Sequence, residues 1–270
     1  VTDFPVPAPL TTHGPARVIA MCNQKGGVGK TTTTVNLGAS LVEYGRRVLL
    51  LDFDPQGALS AAVGANALDE PTIYDLIMGG VKDALPVVQH TFIQGLDVLP
   101  ANIDLSAAEV QLVNEVAREQ SLARVLRQLT GRYDVILIDC QPSLGLLTVN
   151  ALTAAHGVMI PLECEFFALR GVALLIETIE KIQDRLNPQL SIDGILATMF
   201  DPRTLHSREV LHRVREAFGD RVFETVIPRT VKFPDSTVAA KPITEFASSH
   251  RGAAMYRQLA RELVSRGGAP

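Results

Sequence analysis

Short apolar runs alternate along this chain with longer segments whose apolar residues recur at helical spacing. Arg17–Cys22 predicts a first strand, followed by a glycine-rich turn. A helical pattern then spans Thr32 to about Tyr44 and meets Gly45, a good helix terminator because glycine enters the left-handed region without a Cβ clash. Arg47–Asp52 and Val135–Asp139 are apolar on both faces, as strands inside a covered sheet must be. Leu96–Leu99, Val158–Pro161, Gly194–Met199 and Val222–Ile227 continue the strands. Ser121–Leu129, Ala168–Leu186, Arg208–Phe218 and Ala253–Val264 carry the helical spacing between and after them. The alternation predicts an α/β fold, a mostly parallel twisted sheet with helices on both faces. Sheets of this kind bind ligands beyond the C-terminal ends of their strands. The acidic and glycine motifs of this chain all fall at those ends.

Composition narrows the organisation. The chain has 270 residues, 47% hydrophobic and 20% charged, enough for one large domain with a continuous core. No linker or low-complexity block divides it, so residues 16–270 are expected to form a single domain. Residues 1–15 mix proline, threonine and small residues and are expected to be a flexible, weakly packed arm. No apolar run approaches the roughly 18–20 residues that span a bilayer, and the N-terminus lacks the basic-then-apolar order of a signal peptide. Cys22, Cys140 and Cys164 are far apart in sequence and sit in or beside apolar runs, a pattern of buried thiols suited to a reducing cytoplasm. The net charge of −4 excludes general polyanion binding, so any nucleic-acid contact must come from a local patch.

The strongest chemical signal is Lys25-Gly26-Gly27-Val28-Gly29-Lys30-Thr31-Thr32, placed between the first strand and the first helix. Glycines let backbone N–H groups approach phosphate oxygens, and the helix N-terminus adds partial positive charge. In this pattern Lys30 reaches the β- and γ-phosphates of ATP and the Thr31 hydroxyl ligates Mg²⁺. Carboxylates end two of the buried strands: Asp52 and Asp54 in Leu51-Asp52-Phe53-Asp54-Pro55-Gln56-Gly57, and Asp139 before Cys140-Gln141-Pro142-Ser143. An unpaired charge there is costly to desolvate, which calls for a metal or a lysine beside it.

Gln24 occupies the first glycine position of the common P-loop pattern, and Lys25 opens the run. The motif resembles the deviant Walker A motif, KGGxGKT, of the ParA/MinD superfamily of ATPases. DxDPQG and DCxPS likewise resemble that superfamily's second and third nucleotide motifs. The resemblance runs from about Val18 to the C-terminal helix and is nearest the chromosomal ParA (Soj) type. It implies that Lys25 reaches across a sandwich homodimer to the partner's nucleotide, that Asp54 positions or activates the attacking water and serves the metal site, and that Asp139 serves the Mg²⁺ shell. It makes Pro228 a base-side contact. It further implies nonspecific DNA binding in the ATP state, weak intrinsic hydrolysis stimulated by DNA and a ParB-like partner, and a nucleoid-associated cytoplasmic location.

Asp201-Pro202-Arg203-Thr204 resembles the family's D-A-R-T loop, so Arg203 is the first DNA candidate, with Arg208, Arg229, Lys232 and Arg251 behind it. The chain ends without an amphipathic membrane anchor, which speaks against the membrane-bound MinD type. The segment before Val18 is shorter than the helix-turn-helix domain of longer plasmid ParA proteins. The alternative is a MinD-like or ParA-like positioning ATPase for another cargo. A cluster-bearing reductase and a nucleotide-binding protein without hydrolysis are two further rivals. The chain departs from the family in two places: Gln141 replaces the first proline of D-C-P-P-S, and 229–238 replaces R-x-x-x-S-E-A-P-S.

Overall fold

The computed structural model describes residues 3–165 and 168–270. Val1 and Thr2 of the N-terminal segment, and Phe166 and Phe167 of the family-like stretch 161–169, lie outside the described residues. Strands run over Arg17–Met21 (β1), Val48–Phe53 (β2), Gln89–His90 (β3), Leu96–Leu99 (β4), Val135–Cys140 (β5), Gly157–Glu163 (β6) and Ser191–Thr198 (β7). Helices run over Lys30–Glu43 (α1), Ala58–Ala62 (α2), Ile73–Ile77 (α3), Leu105–Gln111 (α4), Ser121–Leu126 (α5) and Leu146–Ala154 (α6). They continue with Ala168–Arg185 (α7), Leu205–Phe218 (α8), Lys232–Val238 (α9), Ile243–Phe246 (α10) and Arg251–Ser265 (α11).

The strands form one sheet in the order β3-β4-β2-β5-β1-β6-β7, parallel except for the β3–β4 pairing at one edge. β2 and β5 are buried at every residue. Their side chains alternate: Leu49, Leu51, Ile136 and Ile138 join the core on one face, Val48, Leu50, Val135 and Leu137 the core on the other. The second face is covered by α1 and α11, which pack side by side. Gly38 lets α1 lie this close, since an added Cβ there would stand 2.7 Å from Leu50 Cδ2.

β1 and β5 are neighbours, yet their following helices leave to opposite faces, α1 to one and α6 to the other. The crevice that opens between such strands at their C-terminal ends is the ligand position of an open parallel sheet.

Two sequence expectations need correction. Val222–Ile227 does not form a strand: it makes only isolated bridges, Ile195 with Val222 and Phe200 with Pro228. The fully buried Glu262 of α11 takes the N–H groups of Glu224 and Thr225 at 2.7 and 2.9 Å, donors that a ladder would have used. The N-terminal segment is also tied down more than its composition suggested. His13 Nδ1 and Gly14 N each lie 2.8 Å from the Asp134 carboxylate, and Arg46 Nη1 donates to Ala8 O at 2.8 Å.

Candidate nucleotide site

The turn after β1 is held from below by side chains. Asn23 Nδ2 donates to Pro161 O at 2.7 Å, Asn23 Oδ1 accepts Lys25 N at 2.9 Å, and Thr198 Oγ1 donates to Val28 O at 2.8 Å. Gly27 and Gly29 have φ of 76° and 88°, in the region that disfavours other residues. No side chain caps α1 at Gly29, so its first N–H groups remain available to an anion. Lys30 folds back into the turn, 6% exposed, with Nζ 3.3 Å from Lys25 O. Gly26, Gly27, Val28, Gly29, Lys30, Thr31 and Thr32 thus form one continuous cradle running into α1.

Thr31 Oγ1 donates to Asp139 Oδ2 at 2.6 Å. Asp139 is buried, and its second oxygen, Oδ1, has no hydrogen-bond partner among the described residues. Burial, together with the charge of nearby Asp52, pushes the Asp139 carboxyl up to about 8, while Thr31 and Lys30 oppose the shift. A buried carboxylate with one free oxygen beside a threonine hydroxyl fits a divalent cation. Among the described residues no three His, Cys, Asp or Glu side chains cluster as a metal site. Thr31 and Asp139 would hold Mg²⁺ together with phosphate oxygens and water.

The remaining carboxylates divide. Asp52 sits opposite Asp139 across β2 and β5, buried and held by Ser60 N and Oγ at 2.8 and 2.7 Å. Burial pushes it up to about 6 against those hydrogen bonds, and it also accepts Asp54 N at 3.2 Å. Its partners make it a support for the turn. Asp54 is half-buried, and its Oδ1 accepts only Gln56 N among the described residues, at 3.0 Å.

Lys25 points the other way. Its Nζ pairs with Glu163 Oε2 at 2.9 Å and with Glu165. Burial pulls the ammonium down, but the hydrogen bonds to Glu165 and Glu163 outweigh it and leave the group above its usual value. Arg229 Nη2 takes the other Glu163 oxygen at 2.9 Å. Sequence reasoning missed both glutamates, since 138 and 140 residues separate them from Lys25.

A cavity of about 510 Å³ opens beside the cradle, lined by Gly29, Thr32, Ile227, Pro228, Phe233 and Tyr256 among others. Pro228, expected as a base-side contact, is among the residues of that lining. Phe233 belongs to α9, the helix formed by the divergent 230–238 segment, and was not singled out from sequence. Cys22 and Cys140 meet with their sulfurs 3.3 Å apart beneath the site, both buried and free.

The candidate DNA residues gather only in part. Arg203 is 87% exposed but chelates Asp201 with Nε and Nη2 at 2.9 and 2.8 Å. Arg229 N donates to Phe200 O at 3.1 Å, and Arg251 shares a cleft with Phe200 and Pro202. Arg229 and Arg251 thus adjoin the 200–203 loop that carries Arg203. Arg208 is exposed on the first turn of α8. Lys232 pairs with Asp235 at 3.3 Å at the start of α9, beside Phe246. Arg215 joins Arg251 in the cleft without having been predicted.

A glycine cradle between a parallel strand and a helix, with a lysine inside it and a threonine on a buried aspartate, defines a P-loop nucleotide-binding protein of the deviant Walker A type. A family model described as an AAA domain matches residues 16–192. An uncharacterised protein of Mycobacterium tuberculosis is 61% identical over 266 residues, covering 98% of this chain and 84% of that protein. The chromosome-partitioning ATPase Soj of Treponema pallidum is 47% identical over 253 residues, covering 93% of this chain and 98% of that one. A solved Mycobacterium smegmatis structure, described as cobyrinic acid a,c-diamide synthase with bound ADP and magnesium, is 42% identical with a TM-score of 0.82. It covers 94% of this chain and 96% of its own. The chain belongs to the ParA/Soj family of chromosome-partitioning ATPases.

Proposed function

We propose that this protein is an ATP-driven switch that dimerises around nucleotide, binds DNA without regard to sequence, and acts in chromosome or plasmid partitioning with a ParB-like partner. It is an ATPase that uses ATP and Mg²⁺. The observation that carries the finer reading is the division of labour between two lysines five positions apart in the same turn. Lys30 folds into its own cradle, whereas Lys25 is directed out of it onto Glu163 and Glu165. A lysine on that outer side is placed to serve a triphosphate presented by a second subunit.

Within one subunit, Lys30 and the α1 N-terminus hold the phosphates, and Thr31 with Asp139 holds the metal. Mg²⁺ held by Thr31 and Asp139 would supply charge neutralisation to the phosphates. Asp54, with a free carboxylate oxygen at the end of β2, orients the attacking water. Pro228 and Phe233 cover the base. Arg203, Arg229 and Arg251 contact DNA phosphates, and the carboxylates that hold Arg203 and Arg229 make that contact weak in a single subunit and stronger when a dimer doubles it. No helix among the described residues is long and apolar enough to cross a membrane. A cytoplasmic, nucleoid-associated location follows from this reading.

The test combines sedimentation and phosphate release. With Mg²⁺ and a nonhydrolysable ATP analogue the purified protein should sediment as a dimer, and DNA should be retained only in that state. Hydrolysis should rise when DNA and a ParB-like protein are added. A strictly monomeric protein under these conditions overturns the switch. Formation of the a,c-diamide of cobyrinic acid, with no response to DNA, would assign the chain instead to the activity described for the M. smegmatis structure.

A further inference from the structure

The segment between β5 and α6 contains a contact that nucleotide binding does not by itself require. Gln141, which departs from the family's proline, donates from Nε2 to Oε1 of Glu109 in α4 at 2.8 Å. The same oxygen lies 3.4 Å from Leu147 N, the second residue of α6. Gly145, the N-cap of α6, has no side chain to cap the helix, so the Glu109 carboxylate takes that place. A negative charge is favourable there. Gly145 makes the approach possible: an added Cβ would stand 2.2 Å from Glu109 Oε1. Its φ of −73° is open to any residue, so the glycine serves space and not conformation.

One carboxylate oxygen therefore closes the loop from Gln141 to Leu147. The loop begins two residues after Asp139. Asp139 is held in the ladder by Met21 on one side and Asp52 on the other, but the residues after Cys140 leave the sheet and have no ladder. Thr148 Oγ1 donates to Ser143 O at 2.7 Å within this stretch, and Glu109 adds a restraint from a helix on the far side of the loop.

We propose that Glu109 is a positioning residue for ATP hydrolysis: through Gln141 and Leu147 it fixes the 141–147 loop at the end of β5 and so sets how Asp139 receives Mg²⁺. The proposal rests on the reading of Asp139 as a metal residue and is independent of dimerisation and DNA. Gln141 supplies the donor of the device, which a proline at that place would lack.

The experiment measures binding of a fluorescent nonhydrolysable ATP analogue against Mg²⁺ concentration, together with amide exchange in the nucleotide-free protein. Glu109→Ala and Gln141→Ala should each raise the Mg²⁺ needed for half-maximal binding by about threefold to tenfold, the scale of one net hydrogen bond. The double variant should add little, because both changes break one unit. Glu109→Gln should restore near wild-type behaviour, since its amide oxygen accepts both donors. The Leu147 amide should exchange faster in Glu109→Ala without nucleotide. An unchanged Mg²⁺ requirement in Gln141→Ala, which leaves α4 intact should Glu109→Ala fail to fold, overturns the proposal. So do additive effects, or Leu147 exchange unaltered in Glu109→Ala. Asp139→Asn separates the two readings: if it leaves the Mg²⁺ requirement unchanged, the metal assignment falls, whereas a shift there with none in Gln141→Ala defeats Glu109 alone.

Discussion

Thr31 Oγ1 donates to Asp139 Oδ2 at 2.6 Å, joining the first turn of α1 to the C-terminal end of β5. The two residues stand 108 positions apart, and the sheet brings them together because β5 lies directly beside β1. The bond leaves Asp139 Oδ1 buried and unpaired among the described residues, ready for a cation. Asp139→Asn should therefore weaken Mg²⁺-dependent hydrolysis by about tenfold to a hundredfold, on the scale of lost metal-site contacts. Thermal unfolding of the nucleotide-free protein near neutral pH should show no loss of stability, because the buried carboxyl, raised to about 8, is already mostly uncharged there. Wild-type Mg²⁺ dependence in Asp139→Asn would exclude Asp139 from the metal shell.

The opposite directions of Lys30 and Lys25 should separate binding from assembly. Lys30→Ala is expected to lose nucleotide binding in a filter or fluorescence titration. Lys25→Ala should keep ATP binding in the monomer and lose the dimer, read by sedimentation with a nonhydrolysable analogue. Equal nucleotide affinity loss in both variants would sink the cross-subunit role.

Asp52 carries the structural contacts of its turn with Ser60, which leaves the proposed water-orienting role to Asp54. Asp54→Ala should bind ATP normally and hydrolyse it about a hundredfold or more slowly, the usual scale of a lost positioning base. Single-turnover phosphate release at saturating ATP measures this, and an unaltered rate would move the water-orienting role elsewhere.

Arg203 must leave Asp201 to meet a phosphate. Arg203→Ala should weaken retention of every duplex sequence alike and reduce the slope of log affinity against log salt by about one unit per subunit. Filter binding across a salt series with two unrelated duplexes reads both effects. Sequence-dependent losses, or an unchanged slope, would remove Arg203 from the interface.

Asp134 ties residues 13–14 to the sheet and also accepts Arg47 N at 2.7 Å. Burial raises its carboxyl, but hydrogen bonds from Arg47 N, His13 and Gly14 N outweigh that and hold it below its usual value of 3.8. A depressed acid binds protons less readily folded than unfolded. Its contribution is therefore complete above about pH 4 and is lost as pH falls through the lower folded value. Asp134→Ala should cost about 2–4 kcal/mol near neutral pH, the range for breaking a buried network, and should flatten the acid limb of the stability curve. Denaturant titrations at pH 7 and pH 3 measure both.

The strands and the cradle were legible because their signals are local. A buried parallel strand must be apolar on both faces, so β2 and β5 announced themselves, and the cradle needs its glycines, lysine and threonine in one contiguous run. Leu96–Leu99 was expected and is β4, whereas β3 escaped notice because two residues at a sheet edge carry little pattern. The strand expected over 222–227 had the right apolar residues, but a glutamate nearly forty positions later claimed its N–H groups.

Sequence alone determined the class of fold, the phosphate cradle and the identity of the carboxylates at the strand ends, since each depends on neighbours along the chain. Only the tertiary structure decided which charges meet. Lys25 on Glu163 and Glu165, Thr31 on Asp139, Arg229 on Glu163 and Gln141 on Glu109 all join residues from separate elements. The physical reason is that electrostatic and hydrogen-bond partners are set by distance in space, and the order of strands in the sheet, not the order of residues, fixes that distance.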